Sequence, residues 1–399
     1  MNRALWLAAL LLIAGAALTP VHAQPRSHRV RTLGQAPTVQ RVDVSNPGAL
    51  RHFHEALAAL GRDPSERVRV MHWGDSNVAA DLWTAVTRDT LQTRYGHGGS
   101  GYLLPRSHGS WHRGPVRLTT DGGWAVRRRG FARGFGPHDG LWGIAGVAME
   151  PSRPGAVLIA EVPEAPTERV LEIHLLGRAR PGRLEMRVDA GPWEAVSARR
   201  SVTQLVVHRR QLDAGAHRVR IRHAGGVPRV LGIVVERTSG VVYDVLGING
   251  HRASALLTWN EALLGAQLAR RSPDLAVFSY GGNEALDPNL SLAAYEEQTQ
   301  TAIERMRRLT PRASCLLVGP LATYERHAPR MGAVTEVQRR LARSQGCGFW
   351  DSSQTSGGPG TLNRWARFPG MVGADHLHLG RDGYERVGRG FVAALLRGI

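Results

Sequence analysis

The chain has 399 residues, a formal net charge of +18 and no lysine, so all 51 basic side chains are arginine. These arginines are scattered along the sequence, whereas nucleic-acid-binding modules concentrate basic residues on one face or in one segment. We therefore predict no nucleic-acid partner. A biased base composition of the gene explains the missing lysines, and a cationic surface also favours adhesion to anionic polymers of a cell envelope.

The first residues have the layout of a secretory signal peptide. A positively charged start, Met1–Arg3, precedes an almost wholly apolar run over residues 4–18, and Val21–Ala23 has the small-x-small pattern of a cleavage site. We expect cleavage before Gln24 and a periplasmic or secreted mature protein without an integral membrane segment. The alternative is an uncleaved N-terminal anchor, but the apolar run is short for a membrane-spanning helix.

Length and cysteine content bound the architecture further. A mature chain of about 375 residues exceeds what one hydrophobic core usually fills, so we expect two domains. The two cysteines are Cys315 and Cys347. An oxidising exported compartment permits a disulfide between them, and two buried thiols are an equally open alternative. Neither cysteine has the neighbouring residues expected of a catalytic or zinc-binding cysteine.

The segment that follows the predicted signal peptide begins with an unpatterned stretch and then changes to regular elements. Residues 24–46 are polar and typical of a linker. Apolar residues at helical spacing predict a helix over 49–60, a buried strand follows over 68–72, and a second helix is predicted over 81–92.

From about residue 98 to residue 240 the sequence is dominated by glycine, tryptophan and short alternating runs. Turn residues punctuate these runs at short intervals, which is typical of an all-β sandwich or jelly roll. The predicted strands are VRLTT, AVLIAEV, VLEIHLL, LEMRV, QLVVH, HRVRIR and VLGIVVE.

From residue 241 onward, strands and helices alternate. The predicted strands are 241–247, 274–280, 313–319 and 348–351, and the predicted helices are 261–270, 292–308, 334–343 and 383–397. This alternation implies a parallel sheet with helices on both faces. The α/β domain is therefore predicted to be split around the β-rich segment.

The chain is therefore predicted to have five parts. The predicted parts are a signal peptide (1–23), an N-terminal linker (24–46), the first part of an α/β domain (47–100), an inserted β-sandwich (101–240) and the second part of the α/β domain (241–399).

Polar residues and glycines gather where the predicted parallel strands end. These positions are Gly74-Asp75-Ser76, Gly247-Ile248-Asn249-Gly250, Gly281-Gly282-Asn283-Glu284 and, before the last helix, Asp375-His376-Leu377-His378. Ligand sites in open α/β sheets lie at the carboxyl ends of the strands. Each stretch has an ordinary alternative: glycines make turns, Ser76 caps a helix, and Asp375 caps a turn. Their order and positions together favour a catalytic site.

The motifs GDS, GINGH, YGGNE and DHLHL resemble the four sequence blocks of the SGNH (GDSL-type) hydrolase superfamily. The matching segments run from about residue 67 to 96 and from about 241 to the end of the chain. The resemblance implies a flavodoxin-like three-layer α/β/α fold and ester hydrolysis through an acyl-serine. It also implies that Ser76 is the nucleophile, that Asp375 and His378 complete the triad, and that Ser76, Gly250 and Asn283 form the oxyanion hole.

The chemistry of acyl transfer agrees with these roles. The reaction needs an activated hydroxyl, a base that takes its proton and a group that fixes the tautomer of the base. An acid three residues before a histidine can accept from Nδ1 and leave Nε2 for the serine, so we prefer His378 to His376 as the base. A metal site formed by Asp375, His376 and His378, with Asp75, is an alternative that lacks a clear ligand set. We predict no metal and no cofactor, and we expect Asp75 to brace its loop.

Two residues depart from the superfamily pattern. Glu284 stands where an aspartate commonly follows the asparagine, which bears on the geometry of that turn. Asn77 stands where lipase-like members carry leucine, which argues against a lipid substrate.

The inserted segment bears on the substrate. Ser76 and Gly250 are 250 − 76 = 174 residues apart, far more than one strand and helix need. An exported serine esterase with an inserted carbohydrate-binding-like β domain resembles the bacterial peptidoglycan O-acetylesterases. The stretches that carry this looser resemblance are GSGYLLP, GVVYDVLGINGHRAS and FWDSSQTSGGPGTLNRW. It implies removal of acetyl groups from acetylated cell-wall polysaccharide. An insert that only packs against the hydrolase is the alternative.

Side chains suited to sugar binding are present, although each has a structural alternative. Indoles stack on sugar rings but more often fill cores; the candidates are Trp73, Trp111, Trp124, Trp142 and Trp193. Carboxylates of a peptide stem could be bound by Arg133 and by the Arg127–Arg129 run. A solvated edge strand is an equally good explanation of these arginines. Two other functions stay open: an O-acetyltransferase that uses the same triad, and a non-catalytic protein that binds the cell envelope.

Overall fold

The structure is a computed structural model that describes residues 38–104, 112–128, 139–321 and 325–399. The predicted signal peptide, most of the predicted linker, and Trp111, Arg129 and Arg133 lie outside these residues. Within the described ranges, no helix is long and apolar enough to cross a membrane.

The first part of the chain forms a helix, a strand and two further helices. These are α1 (Arg51–Arg62), β1 (Arg67–Gly74), α2 (Ser76–Ala79) and α3 (Trp83–Tyr95). Helix α1 buries Phe53, Leu57 and Leu60, the stripe that its sequence predicts. It begins two residues later than predicted because a short 3₁₀ turn over Pro47–Leu50 precedes it.

The middle of the chain folds into two antiparallel sheets. Its strands are β2 (Gly99–Leu103), β3 (Arg117–Thr120), β4 (Trp124–Arg128), β5 (Val147–Pro151), β6 (Val157–Val162), β7 (Arg169–Gly177), β8 (Arg183–Val188), β9 (Glu194–Val196), β10 (Gln204–Leu212), β11 (His217–Gly225) and β12 (Val230–Glu236). One sheet has the order β10-β7-β12-β5-β4 with β2 beside β12, and the other has the order β3-β6-β11-β8-β9. Leu158 and Ile221 of the second sheet share a core with Ile173 of the first, so the two sheets form a sandwich.

The last part of the chain alternates strands and helices. Its elements are β13 (Gly240–Gly247), α4 (Glu261–Arg271), β14 (Leu275–Ser279), α5 (Gly282–Ala285), α6 (Leu292–Leu309), β15 (Ser314–Val318), α7 (Ala328–Ser344), β16 (Gly348–Trp350), α8 (Ser352–Thr355), α9 (Thr361–Trp365) and α10 (Arg381–Leu395). Two 3₁₀ turns, Ala253–Thr258 and Glu325–His327, lie in the connections.

A five-stranded parallel sheet with the order β13-β1-β14-β15-β16 joins the two outer parts of the chain. Counted within the sheet this is 2-1-3-4-5, the flavodoxin-like order. Helices α1, α3 and α10 bury Phe53, Trp83 and Phe391 on one face. Leu264 of α4 and Met306 of α6 pack on the other face, in the same core as the sandwich. The predicted α/β fold with a β-rich insertion is confirmed.

Buried charges link the sandwich to the parallel sheet. Arg271 of α4, which is 2% exposed, pairs with Asp244 of β13 at 2.7 Å and with Glu236 of β12 at 2.5 Å. Burial raises the pKa of Glu236, but Arg271 and Arg69 outweigh it and lower that pKa to about 2. Removing one partner of such a network leaves an uncompensated buried charge, which is strongly destabilising.

Cys315 and Cys347 form a disulfide bond. It joins β15 to the residue before β16, so of the two alternatives left open by the sequence the bridge is the one found. Cys315 lies near the amino end of its strand, whereas the residues of the candidate site follow the carboxyl ends of the strands.

Candidate active site

The turn after β1 places Ser76 at the first residue of helix α2. A side chain on Gly74 is sterically excluded, because a Cβ there would lie 2.6 Å from the carbonyl oxygen of Ser279. Asp75 is the N-cap of α2, and its carboxylate accepts from the Asn77 amide at 2.9 Å. The cap is therefore Asp75 and not Ser76, which leaves the half-buried Ser76 hydroxyl for another partner.

That partner is His378, which reaches Ser76 from the loop before α10. The Ser76 Oγ and His378 Nε2 atoms are 2.7 Å apart. On the other side of the ring, Nδ1 of His378 lies 2.6 Å from Oδ2 of Asp375. The three side chains thus form a continuous serine–histidine–aspartate chain, the arrangement that acyl transfer requires.

The loop itself holds Asp375 in position for the ring. Its Oδ1 accepts from the backbone amides of Leu377 and His378 at 2.9 and 3.0 Å. Partial burial raises the pKa of Asp375, but hydrogen bonds from the His378 and Leu377 amides and from the His378 ring outweigh it. The net effect lowers that pKa to about 2. The carboxylate is therefore ionised across the ordinary pH range and fixes the proton of His378 on Nδ1.

His376, the rival base, is the apex of this turn. It has a left-handed backbone with a φ of 53°, and its amide donates to the carbonyl of Gly373 at 3.0 Å. The turn brings His378, two residues further on, to Ser76. Across the parts of the chain that the structure describes, no group of three or more metal-ligating side chains is present.

Gly250 and Asn283 line the same cavity as Ser76. Gly250 follows β13 with a φ of +77°, a conformation that favours glycine. Asn283 lies in α5, and its Nδ2 donates to the carbonyl of His251 at 2.9 Å. This bond ties α5 to the loop that carries Gly250 and leaves the second Nδ2 hydrogen of Asn283 for a further acceptor.

Comparison with known protein families identifies a match in the second half of the chain. Residues 211–386 match the model of the GDSL-like Lipase/Acylhydrolase family, a range that includes Gly250, Asn283, Asp375 and His378 but not Ser76. The chain carries a GDSL-like hydrolase domain. The match confirms the predicted relationship to the SGNH hydrolases and the predicted enzyme class, a carboxylic ester hydrolase.

A solved structure with a TM-score of 0.74 shows the same fold over most of the chain. A structure described as a peptidoglycan O-acetylesterase in action is 21% identical with a TM-score of 0.74, and the alignment covers 88% of this chain and 97% of that one. A family two carbohydrate esterase from Cellvibrio japonicus is 11% identical with a TM-score of 0.31, over 70% of this chain and 97% of that one. No curated protein sequence matches the chain.

Glu284 connects two loops of the hydrolase domain, a role that the sequence did not indicate. The buried carboxylate accepts from the amide of Ala253 at 2.9 Å and from the amide of Gly281 at 3.0 Å. Burial raises the pKa of Glu284 to about 7. The residue that departs from the superfamily pattern therefore joins the loop after β13 to the loop after β14.

Asn77 and Tyr384 brace the serine turn from the opposite side. The Tyr384 hydroxyl donates to Oδ1 of Asn77 at 2.7 Å, and Nδ2 of Asn77 donates to Asp75 at 3.1 Å. Burial raises the pKa of Asp75. The expectation that Asp75 braces its loop agrees with these contacts, and the polar Asn77 is part of the same network.

A buried histidine lies beneath the site on β1. Nδ1 of His72 is 2.6 Å from the Tyr243 hydroxyl, and Nε2 is 2.6 Å from the Ser279 hydroxyl. Burial lowers the pKa of His72 to about 3, so the ring is neutral and links β13, β1 and β14. Sequence reasoning missed this link because its three members come from distant segments.

The cavity beside Ser76 has a volume of about 240 Å³. Leucine and methionine form much of its wall: Leu286, Leu321, Met331, Leu362, Leu377 and Leu379. Arg326 and His327 add a basic edge.

The tryptophans proposed from the sequence are mostly core residues. Trp73, Trp124 and Trp142 are each at most 4% exposed, and Trp73 stacks on Phe278. Trp193 is half-buried on the sandwich beneath arginine side chains. Trp111 lies outside the described residues.

Proposed function

We propose that this protein is an exported serine esterase that removes O-acetyl groups from a cell-envelope polysaccharide, most specifically from peptidoglycan. One observation supports the chemistry above all: the 2.7 Å contact between Ser76 Oγ and His378 Nε2, with Asp375 on the far side of the ring. The fold shared with a peptidoglycan O-acetylesterase supports the substrate class.

In the acylation step, His378 Nε2 takes the Ser76 proton while Oγ forms a bond to the ester carbonyl carbon. The tetrahedral intermediate then collapses, and the same proton passes from His378 to the oxygen of the leaving sugar hydroxyl. Asp375 stabilises the imidazolium that exists between these two transfers. The product is acetyl-Ser76 and a free hydroxyl on the glycan.

In the deacylation step, His378 takes a proton from water, whose oxygen attacks the acetyl carbon. Collapse releases acetate and returns the proton to Ser76. Donors for the oxyanion are the Ser76 amide, the Gly250 amide and the remaining hydrogen of the Asn283 side-chain amide. In such sites, one donor typically contributes about 2.7–4 kcal/mol to transition-state stabilisation.

The polar serine turn favours a short acyl group. The cavity of about 240 Å³ accommodates an acetyl group and part of a sugar ring. Asn77, in place of the leucine of lipase-like relatives, is held by Tyr384 and Asp75 and offers no apolar surface to a lipid chain.

We also propose a domain organisation and a cellular location for the protein. We place the signal peptide at residues 1–23, the linker at 24–46, the hydrolase at 47–100 and 241–399, and the inserted sandwich at 101–240. Periplasmic or secreted location follows from the signal peptide and matches a substrate outside the cytoplasm.

Acetate release from O-acetylated peptidoglycan tests the proposal. The wild-type protein is expected to release acetate, and Ser76→Ala is expected to lose this activity. Acetyl transfer to an added glycan acceptor without free acetate would instead identify a transferase. Binding of the polymer with no turnover of any kind would identify a non-catalytic protein.

The two histidines of the loop provide a matched pair of variants. His378→Ala is expected to abolish acetate release because it removes the base, whereas His376→Ala is expected to retain it. The reverse result would show that His376 is the base.

A further inference from the structure

A second cleft, with a volume of about 800 Å³, lies in the β-sandwich and has no part in the proposed mechanism. Its walls come from the connection between β7 and β8, from β8 and β9, from residues 197–199 and from the end of β11. This volume is within the range of protein sites that bind small molecules, about 300–1,000 Å³.

The cleft is built on paired backbone. Its floor includes the buried residues Leu184 and Val196, which face each other across the β8–β9 pair. At one wall, the amide of Arg200 donates to the carbonyl of Arg178 at 3.1 Å. Such pairing holds the walls in place before any ligand arrives, which lowers the entropic cost of binding.

Glycines close one end of the cleft. Gly182 and Gly226 have φ values of +77° and +65°, and a Cβ on Gly226 would lie 2.8 Å from the Cα of Gly182. The two loops therefore approach each other through backbone alone, and side chains larger than hydrogen are excluded between them.

The charge of the cleft is strongly unbalanced. Arg180, Arg183 and Arg199 line it and are exposed, and none of their guanidinium groups has a hydrogen bond or an ion pair with any residue in the described ranges. The one acid in the lining is Glu185, which is already paired with Arg222 at 2.5 Å. Three uncompensated positive charges thus surround a preformed depression.

We propose that this cleft binds an anionic oligosaccharide, whose carboxylate or phosphate groups pair with Arg180, Arg183 and Arg199. Guanidinium forks match both groups bidentately and form charge-assisted hydrogen bonds. An anion also relieves the mutual repulsion of the three cations.

The cleft would act as an anchor for polymer and not as a part of the reaction. A second attachment point raises the effective concentration of the polymer at the hydrolase without changing the chemical step. Binding at this cleft therefore does not depend on the proposed esterase activity, and each is tested separately.

Binding is measured by calorimetry on the Ser76→Ala variant, which leaves any ester intact. The probes are an oligogalacturonate, its neutral methyl ester of the same length, and an oligosaccharide of hexoses joined by phosphodiester bonds. The cleft variant combines Arg180→Gln, Arg183→Gln and Arg199→Gln. The control variant removes the same charge from exposed arginines elsewhere: Arg62→Gln, Arg312→Gln and Arg343→Gln.

At an ionic strength of about 0.15 M, where charges on distant surfaces are screened, we expect the cleft variant to bind an anionic probe at least roughly tenfold more weakly. The control variant is expected to bind as the parent does, and the methyl ester is expected not to bind. The two anionic probes distinguish a carboxylate ligand from a phosphate ligand.

Equal losses in the cleft and control variants would show that binding depends only on net charge and would overturn the proposal. Equal binding of the methyl ester, or no binding of either anionic probe, would do the same. The cleft substitutions are also made in the protein that retains Ser76, where they are expected to leave the hydrolysis of p-nitrophenyl acetate unchanged. Unchanged hydrolysis would show that the cleft variant is folded.

Discussion

The substitution Asp375→Asn should greatly reduce catalytic activity while lowering the free energy of unfolding only slightly. An asparagine keeps the shape and one acceptor oxygen, so the amides of Leu377 and His378 can still be satisfied. Its NH₂ group, however, meets Nδ1 of His378 at the position where the carboxylate oxygen lies at 2.6 Å. The ring then adopts the tautomer with its proton on Nε2, which cannot accept the Ser76 proton.

The two effects differ greatly in size. The pKa of Asp375 falls from 3.8 to about 2, which at about 1.36 kcal/mol per pKa unit corresponds to about 2.4 kcal/mol. The side chain is 53% exposed, so solvent screening reduces the contribution to stability to about 1 kcal/mol. The expected loss in kcat is roughly 10⁴-fold, the effect of the same change in serine proteases, and kcat/KM should fall with it.

Two measurements on the same protein test this prediction. Hydrolysis of p-nitrophenyl acetate gives kcat/KM, and urea unfolding gives the free energy of unfolding. Asp213→Asn, at an exposed carboxylate between β10 and β11 of the sandwich and away from the cavity, is the control and should change neither quantity. An Asp375→Asn variant that keeps a tenth or more of the activity would refute the assigned role of Asp375.

Three further predictions concern stability. Replacing Cys315 and Cys347 by serine should lower the free energy of unfolding by about 4 kcal/mol, because the disulfide closes a loop with a sequence separation of 32. Urea unfolding of the oxidised wild type and of the variant measures this difference. Equal unfolding midpoints would contradict the prediction. His72 has a pKa of about 3 in the folded protein and about 6.5 in the unfolded chain, so its contribution to the free energy of unfolding is complete above pH ~6.5 and is lost as the pH falls toward 3. In urea unfolding, the stability of His72→Gln should therefore decrease less steeply with falling pH than that of the wild type. Equal decreases in the two proteins would count against this reasoning. The pH dependence that Glu284 contributes has the opposite sign, because its pKa of about 7 in the folded protein lies above the unfolded value. As the pH rises from ~4.5 to ~7, the free energy of unfolding of the wild type should therefore fall relative to that of Glu284→Gln. Parallel pH curves for the two proteins would disprove the assignment.

Much of the hydrolase fold could be predicted because its strands are short, mostly apolar and almost fully buried. Strand β1 is a buried run that ends at a glycine, and its alternation with helices gives a parallel sheet. The three-residue spacing between Asp375 and His378 led to the pair that the structure brings to Ser76. Both signals come from residues that are close together in the sequence, so they can be recognised without the structure.

Four strands of the sandwich are outside the predicted set, and three of them, β2, β5 and β9, lack the local signal of a strand. Strand β9 has only three residues, too few for a period of two to be seen. Strand β2 contains two glycines in GSGYL, and β5 ends in a proline. Their pairing partners, and not their own sequences, make these segments strands.

The supports of the site were also hidden, because they depend on which strands are neighbours. His72 meets Tyr243 and Ser279 only because β1 lies between β13 and β14. Glu284 reaches the amide of Ala253 for the same reason. No pattern within one segment records such contacts between distant segments.

The most direct test of the proposed mechanism is mass spectrometry of the protein after acid quenching during turnover of O-acetylated peptidoglycan. The mechanism predicts an added acetyl mass on the peptide that contains Ser76, and no such mass in Ser76→Ala. Acetate release by Ser76→Ala at the wild-type rate, or an acetyl group found on another residue, would contradict it.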